Sequence, residues 1–411
     1  MLKNYLQMAV KVYLRRKMFT AINLLCIVLT LVVLLMVTAI LQYQFSPGGV
    51  ERKSDRYLQM NSIIQLGKAD EYGEWGVGYK LIDQYLRKMA SVELVAAITQ
   101  PETVAVYQPN HVEKMALRWS DAEYWQVMDF SVVHGRVINH EDVDQGRFVV
   151  VITVSAAKKL FGAIDPLGQK MNIRSQQFEV IGVVEESYHT NSYGQIWAPI
   201  STQASSDYRH HITGAFTALL LAKDPSNRRL IQTELLKLAK SIQSDEPERF
   251  HTVVLRADTM LEAFSRGFVA DRREVESNAN NVLMSIAALM MLFMNLPALN
   301  LINLNVGRIM ERSAEIGVRK AFGASTMELV WQFLIENILL CLIGCALALL
   351  SAQGLLLALS GSGIIPYFRV DINWMVFLYG AMIALIFGVI SGVLPAWRMA
   401  KLEAVSALKG I

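Results

Sequence analysis

The stretch Glu311–Ser325 reads ERSAEIGVRKAFGAS and lies between two long runs that are almost free of charge. Seven charged residues fall within the twenty-one positions from Arg308 to Glu328. On a helix, Glu315 and Arg319 are spaced i, i+4 in the favourable order of acid before base. A short amphipathic helix held between two apolar segments cannot leave a membrane surface. The pattern therefore indicates a docking helix for a soluble partner, with a solvated connecting loop as the alternative from the residues alone.

Working outward, four apolar runs are each long enough to cross a bilayer, which takes roughly 20 residues. We place transmembrane helices at 18–45, 276–306, 329–359 and 373–397. The composition agrees, because 53% of the residues are hydrophobic and only 18% are charged. A signal peptide is the competing interpretation of the first run. That run exceeds the roughly 7–15 apolar residues of such peptides, and Val37-Thr38-Ala39 is a poor cleavage site.

The distribution of Lys and Arg predicts the orientation, because these residues concentrate in cytoplasmic segments near span ends. The N-terminal segment 1–17 has five, the segment 307–328 has four, the tail 398–411 has three and the loop 360–372 has one. Both termini are then cytoplasmic, with 1–17 an amphipathic helix in the headgroup region. The segment 307–328 is a cytoplasmic coupling helix, and 360–372 is a short external loop.

The polar insert 46–275 is then extracytoplasmic and large enough for its own core. Short β-branched and aromatic runs predict strands at 62–66, 103–107, 148–153, 178–184, 216–221 and 252–255. Helices are predicted at 77–91, 120–127, 155–161 and 227–242, with Ser120 and Glu123 as a capping box and Gly162 as a helix end. A polar helix over 258–281 is predicted as a stalk that leads into the second span. The fold class is therefore membrane α-helical, with an α+β domain inserted between the first and second of four transmembrane helices.

The charged stretch resembles the coupling segment of MacB/FtsX (type VII) ABC transporter permeases, in which ER-x-x-EIG-x-RK-A-x-GA recurs. The matching positions are Glu311, Arg312, Glu315, Ile316, Gly317, Arg319, Lys320, Ala321, Gly323 and Ala324. Residues 125–186 resemble the MacB-like core domain of that family, chiefly at Gly135-Arg136, Phe161-Gly162, Asp165-Pro166, Gly168 and Gly182-Val183. The tail from Pro395 to Lys409 resembles the closing pattern of the family.

This resemblance implies a permease subunit without an ATPase domain of its own. The expected partners are two copies of an ABC ATPase subunit, which would carry ATP and Mg, and a second permease chain, identical or paralogous. ATP-driven closure would move the periplasmic domain to export an antibiotic, peptide or lipoprotein-type cargo. The expected location is the bacterial inner membrane, with a periplasmic adaptor and an outer-membrane duct left open as further partners. The alternative is an ABC-type signalling or scaffold protein that activates periplasmic partners without moving cargo.

The motifs of common enzyme classes are missing from the sequence. It has no Walker A pattern, no G-x-S-x-G and no H-E-x-x-H. We expect a non-catalytic chain with no cofactor or metal of its own. The net charge of +3 gives no argument for nucleic acid. The acidic trio Glu141, Asp142 and Asp144 is interpreted as a solvated turn rather than a weak calcium site, and His210-His211 as a solvated loop pair.

Polar residues inside the apolar runs need protein partners, because amides in lipid require hydrogen bonds. Asn295, Pro297, Asn300 and Asn303 are therefore predicted to line a packing or dimer face of the second span. Glu336 is the one ionisable residue of the third run. It is interpreted as a boundary residue that pairs with a neighbouring helix or a headgroup, with a proton or ion relay as the alternative. Cys341 and Cys345 are expected to be small packing residues.

Overall fold

The structure is a computed structural model that describes residues 7, 11, 13–15, 17–68, 71–108, 112–268, 277–293, 326–362, 374–375, 377–382, 385–386 and 389–390. The chain divides into two units. One is Gln44–Val282, called here the domain, and the other combines Met1–Tyr43 with Leu283–Ile411. The coupling motif, the predicted tail and most of the predicted loop 360–372 lie outside the described residues.

The described elements, numbered in chain order, are nine α-helices and fourteen strands. The helices are α1 Lys17–Phe45, α2 Tyr79–Gln84, α3 Ala122–Val127, α4 His140–Asp144, α5 Val154–Phe161, α6 Arg228–Ala239, α7 Met260–Arg266, α8 Ala279–Phe293 and α9 Thr326–Ser362. The strands are β1 Tyr57–Met60, β2 Ile63–Gly67, β3 Tyr72–Val77, β4 Val92–Thr99, β5 Glu102–Tyr107, β6 Val112–Ser120, β7 Val132–Gly135, β8 Val149–Thr153, β9 Lys170–Ile173, β10 Gln176–Val184, β11 Ile196–Pro199, β12 Thr213–Gly214, β13 Phe216–Ala222 and β14 Phe250–Leu255.

Two of the described helices are long and apolar enough to cross a membrane, and they flank the domain in the sequence. Their apolar parts are Thr20–Phe45 of α1 and Leu334–Ser360 of α9. Both are apolar around the whole circumference, which is the pattern of a span rather than of a half-buried surface helix. The other two predicted spans lie partly outside the described residues, so the count of four stays a prediction.

Helices α1 and α9 pack along a stripe of small residues. Ile27, Leu31 and Leu35 of α1 share one buried cluster with Cys341, Cys345 and Ala348 of α9. Cys341 is 2% exposed and Cys345 is 5% exposed, which confirms their interpretation as packing residues. At Gly344 an added Cβ would lie 2.5 Å from Ile27 Cγ2. Small side chains allow such close approach, as is common between membrane helices.

The domain contains a closed ring of six strands. Strand β11 pairs with β6 on one side and β8 on the other, and the circuit continues through β10, β9 and β5 back to β6. The β11–β6 and β10–β8 pairs are parallel, and the others are antiparallel. The ring encloses a core built from Leu117, Val150, Ile152, Phe178 and similar residues, which α5 closes with Ala156 and Leu160.

From β6 the sheet continues through β4, β13, β3 and β2 to β14. Helices α2 and α6 pack on one face of this extension, where residues such as Leu81, Ile82, Leu220, Ile231 and Leu235 form a second core. A third core, which includes Tyr57, Tyr124, Trp125 and Trp197, joins α3 to β1, β4, β8 and β13. The two faces of the central strands are therefore both buried, so their sequences read as nearly continuous apolar runs.

All six predicted strands are present, as β2, β5, β8, β10, β13 and β14, with ends within two residues of those expected. Three expected helix features were wrong. Asp121, not Ser120, caps α3 by accepting from the Tyr124 amide, because Ser120 ends β6. The helix expected over 77–91 ends at Gln84 and gives way to a 3-10 turn at Leu86–Lys88. The continuous polar helix over 258–281 is also interrupted, since α7 ends at Gly267.

The acidic trio is solvated at Glu141 and Asp144 but not at Asp142, where the expectation was wrong. The Asp142 side chain is fully buried and receives two hydrogen bonds from Arg136, one of them from Nη2 at 2.9 Å. Asn139 and Asp142 also form a capping box at the start of α4. Gly182 lies opposite Gly135 in the β10–β7 pair, and a side chain there would collide with the Arg136 carbonyl. Gly135 and Gly182 therefore allow β7 and β10 to approach closely, next to the ion pair of Arg136 with the buried Asp142.

We expect Gly344→Ala to destabilise the α1–α9 pair, because the new methyl group meets Ile27. Overpacking of this kind costs about 1–3 kcal/mol, against a gain of roughly 1 kcal/mol in helix propensity. Gly354→Ala on the same helix is the matched control, since nothing lies within 4 Å of its Cβ. Thermal unfolding of the full chain in detergent should give a lower Tm for Gly344→Ala than for Gly354→Ala, with partial recovery on adding Ile27→Ala. Equal Tm values would contradict this packing.

Asp142→Asn should lower stability by about 1–2 kcal/mol near neutral pH, because it removes the charge that pairs with Arg136. Burial opposes ionisation, but the hydrogen bonds from Arg136 and the Asn139 amide outweigh it and lower the Asp142 pKa. A lowered pKa stabilises the fold above the ordinary value, about 3.9, and the benefit is lost as pH falls through the folded pKa. The Tm difference from wild type should therefore be constant at neutral pH and shrink below about pH 4. Asp144→Asn, at an exposed position, is the control, and an equal loss of Tm there would refute the role of Asp142.

Candidate functional site

The chain enters the core of the domain directly after α1. The Glu51 amide donates to the Gly48 carbonyl at 2.9 Å, which closes a tight turn over the Ser46-Pro47-Gly48-Gly49 break. Val50 and Glu51 are both buried. Gln44 Nε2, from the last turn of α1, donates to Thr190 Oγ1 at 3.0 Å. The domain therefore begins with the last residues of α1, Gln44 and Phe45, and with the turn that follows them.

Glu51 is the centre of this region, with only 1% of its surface exposed. Its Oε1 accepts from the Asn191 and Ser192 amides at 3.0 Å each and from Ser192 Oγ at 2.9 Å. Its Oε2 accepts from the Tyr57 hydroxyl at 2.5 Å. Both oxygens are therefore satisfied, which is the condition under which a buried carboxylate is tolerated. The carboxylate joins the exit of α1 to β1 and to the loop 187–194.

A second layer of polar groups surrounds that carboxylate. Asn191 Nδ2 donates to Gln59 Oε1 at 2.7 Å, and the Tyr124 hydroxyl donates to the Asn191 carbonyl at 3.0 Å. Burial, with the nearby negative charge of Glu51, raises the pKa of Tyr57 well above its ordinary value. Tyr57 therefore stays protonated as a donor throughout the physiological pH range.

Arg118 holds the same loop from the opposite side. This side chain of β6 is fully buried. Its Nε donates to the Thr99 carbonyl at 2.7 Å, and its Nη1 donates to the Asn191 and Tyr193 carbonyls at 2.8 and 3.0 Å. Burial lowers the pKa of Arg118, while Tyr124 and Glu51 oppose that shift. We call Glu51, Tyr57, Gln59, Arg118, Asn191 and Ser192 the exit junction.

Helix α7 is attached to the exit junction from the C-terminal side of the domain. Met260 Sδ lies 3.4 Å from Asn191 Nδ2 and 3.7 Å from the Tyr57 hydroxyl. The residue before the helix cap, Asp258, exchanges two backbone hydrogen bonds with Gln59 at 2.8 and 2.9 Å. Asp258 also pairs with Arg266 at 2.6 Å. The chain therefore leaves the domain next to the place where it entered.

The two charged groups of the exit junction, Glu51 and Arg118, are buried and bonded mainly to backbone groups. Within the described ranges, no group of three or more His, Cys, Asp or Glu residues is placed to hold a metal ion. His210 and His211 are exposed, and His211 lies between Asp207 at 3.5 Å and Asp245 at 3.7 Å. The carboxylate of Glu51 is fully hydrogen-bonded, whereas Arg118 Nη2 has no hydrogen-bond partner among the residues that the structure describes.

Most of the site residues that were predicted from the sequence lie outside the described residues, and Glu336 lies within them. The coupling positions Glu311, Arg312, Glu315, Ile316, Gly317, Arg319, Lys320, Gly323 and Ala324 lie outside the described residues, as do Asn295, Pro297, Asn300 and Asn303. Glu336 is described and is only 2% exposed on α9. The Tyr13 hydroxyl donates to its backbone carbonyl. This bond goes to the backbone, so the predicted pairing of the Glu336 carboxylate stays a prediction.

Sequence reasoning missed the exit junction. Glu51 follows a Pro-Gly turn, where a glutamate is usually solvated, so its burial had no local signal. Arg118 did give a local signal, because it interrupts the apolar stretch from Met115 to Trp119, which lies in β6. A charged residue at an interior position of a strand indicates either an edge or a buried, bonded charge. Asn191 and Ser192 act mainly through backbone amides, which no side-chain pattern reveals.

Two family models cover most of the chain. The model described as MacB-like periplasmic core domain matches residues 20–238, more than half of the chain. The model described as FtsX-like permease C-terminal matches residues 285–404, which include the coupling motif.

Curated relatives agree with both family models. The macrolide export ATP-binding/permease protein MacB of Neisseria gonorrhoeae is 27% identical over 293 residues, which cover 70% of this chain and 42% of that protein. The uncharacterized ABC transporter permease YknZ of Bacillus subtilis is 26% identical over 326 residues, which cover 79% of this chain and 77% of that protein. The chain spans about two fifths of the length of the MacB relatives that it matches.

Solved structures of isolated domains are also similar. The extracellular domain of the noncanonic ABC-type transporter YknZ from Gram-positive bacteria is 16% identical and covers 48% of this chain and 98% of that one, with a TM-score of 0.37. A domain of a putative permease protein from Porphyromonas gingivalis is 17% identical and covers 51% of this chain and 90% of that one, with a TM-score of 0.41.

Glu51→Gln should destabilise the domain by about 2–4 kcal/mol. The substitution removes the negative charge, and it replaces one accepting oxygen by an NH2 group that faces other hydrogen-bond donors. The expected fall in Tm of the full chain is roughly 5–10 °C. Glu93→Gln is the matched control, since Glu93 pairs with Arg56 at the surface and is 46% exposed. Its Tm should change by no more than about 1 °C, because exposed ion pairs contribute little. Similar losses in both variants would show that Glu51 has no special role.

Proposed function

The chain belongs to the family of ABC transporter permeases that combine a MacB-like periplasmic core domain with an FtsX-like permease region, and we propose that it couples ATP hydrolysis on a separate ATPase chain to movement of its extracytoplasmic domain. The chain itself would be non-catalytic. ATP and Mg would be bound by the partner, which docks on the segment 307–328.

One observation carries this proposal. The match to the core domain and the match to the permease region follow one another in the order that coupling requires, and the second match contains the ER-x-x-EIG-x-RK-A-x-GA motif. The exit junction is compatible with it, because the segment that follows α1 is bonded to β1 and to the loop 187–194 within the domain. On this proposal, ATP-driven closure of two ATPase copies pushes two permease chains, identical or paralogous, and the domains outside move together.

The topology follows from the same proposal. Four spans with both termini in the cytoplasm place the domain outside the inner membrane and the coupling motif inside. The Neisseria relative is a macrolide export protein by name, so an antibiotic is one cargo class that we propose, with peptides and lipoproteins as others. Movement of the domain would expel such a cargo from the periplasmic side, with an adaptor and an outer-membrane duct as further partners.

The experiment uses the tagged full chain purified from its own host together with the ATPase that accompanies it. The complex is placed in nanodiscs, with a fluorophore attached at the exposed position Ile164 of the domain. ATP should change the emission of the fluorophore, and ADP should not. Glu315→Gln should keep the ATPase bound and active while the ATP-dependent change in emission is lost, because Glu315 is expected to set the shape of the coupling helix.

The control is Glu248→Gln, which removes an exposed carboxylate from the domain outside the coupling motif. It should behave as wild type. A chain that purifies with no ATPase, or a Glu315→Gln variant with a full change in emission, would contradict the proposal. A full response to ATP with no cargo transported, and recovery of a periplasmic enzyme on the domain, would favour the signalling alternative.

A further inference from the structure

Exposed aromatic side chains surround the end of α1. Phe264 of α7 is 42% exposed, and Phe268, just beyond the helix, is 69% exposed. The Phe264 ring centre lies 5.2 Å from that of Phe45 and 5.1 Å from that of Phe268. Phe45 is the last residue of α1 and packs on the third core of the domain. The three rings therefore form one continuous aromatic surface that starts where α1 ends.

The loop 187–194 adds a further aromatic group beside the same helix end. Thr190 accepts the hydrogen bond from Gln44, which directly precedes Phe45. In this loop the Tyr193 ring is 37% exposed and lies 5.9 Å from the Tyr188 ring. Arg118 and Glu51 hold the backbone of this loop through bonds to the Tyr193 carbonyl and from the Asn191 amide. A second segment of the domain therefore contacts the end of α1.

The length of α1 gives the depth of that point in a bilayer. Its apolar part, Thr20–Phe45, has 26 residues and is about 39 Å long at 1.5 Å per residue. The hydrocarbon core of a bilayer is about 30 Å thick, and the headgroup layers bring the total to about 40–45 Å. A helix that crosses from Thr20 therefore ends at Phe45 within the outer headgroup layer. Rings in contact with Phe45 are at the same depth.

Resting on the proposed function, in which α1 crosses the membrane, we propose that Phe264 and Phe268 lie in the headgroup–acyl boundary of the bilayer. The occupant of this aromatic surface is therefore lipid. Exposed apolar rings at that depth gain free energy by leaving water for the acyl chains. Movement of the domain away from the membrane would transfer these rings from lipid to water. The bilayer would therefore oppose that movement.

The test introduces tryptophan at three positions of similar exposure in the full chain. Phe268→Trp probes the aromatic surface. Ile164→Trp is the control for a position outside the membrane. Ile164 is 64% exposed and follows α5, which packs on a different hydrophobic core from α7. Leu29→Trp is the membrane control, since Leu29 is 60% exposed within α1. Each chain is placed in nanodiscs of phosphatidylethanolamine and phosphatidylglycerol, with part of the lipid replaced by phosphatidylcholine brominated near the headgroup or near the chain end. The wild-type emission is subtracted, because the chain has seven tryptophans.

The added emission of Phe268→Trp should be quenched several-fold more strongly by bromine near the headgroup than by bromine near the chain end. Ile164→Trp should be unaffected by either, and Leu29→Trp should respond most to the deeper bromine. Phe264→Trp serves as a second probe if Phe268→Trp lowers the yield of folded protein. Emission from both ring positions that matches Ile164→Trp, while Leu29→Trp is quenched, overturns the inference alone, including the case in which a second copy of the chain covers the surface. Loss of quenching at Leu29→Trp as well would overturn the proposed membrane crossing.

Discussion

The structure of the domain depends on one buried carboxylate. Glu51 is removed from water, and four donors from Tyr57, Asn191 and Ser192 replace its hydration. Loss of any donor would leave a buried charge short of a partner, which costs more than an ordinary hydrogen bond contributes. The entering chain, β1 and the loop 187–194 are therefore held in one relative position. This constraint makes the end of α1 part of the domain.

The rest of the architecture places those donors. The ring of β5, β6, β8, β9, β10 and β11 fixes β6, and β6 carries Arg118 to the far side of the loop 187–194. Strand β1 adds to β13 at the third core and brings Tyr57 and Gln59 to the carboxylate. Helix α7 then returns the chain to β1 through Asp258 and Met260. Helix α7 and the segment by which the chain enters the domain therefore meet at the exit junction.

The sequence predicted the elements with strong periodicity and missed those whose signal is tertiary. Short apolar runs such as Val149–Thr153 and Phe216–Ala222 identified central strands correctly. Strand β4 was missed because Val92–Thr99 contains two alanines and a glutamate, and β3 because Gly73 and Gly76 interrupt it. Glu51 and Asn191 were missed because burial and backbone bonding arise only after distant segments meet. The coupling motif was found by resemblance, and its positions lie outside the described residues.

Hydrogen–deuterium exchange of the full chain in nanodiscs tests the central claim most directly. The amides of Asn191 and Ser192 donate to Glu51, so the peptide that spans 188–194 should exchange as slowly as peptides from the buried strand β13. The exposed turn 204–207 gives the rate for an unprotected loop. Slow exchange at 188–194 would agree with a buried Glu51 carboxylate that holds this loop. Exchange at the rate of the 204–207 turn would contradict it.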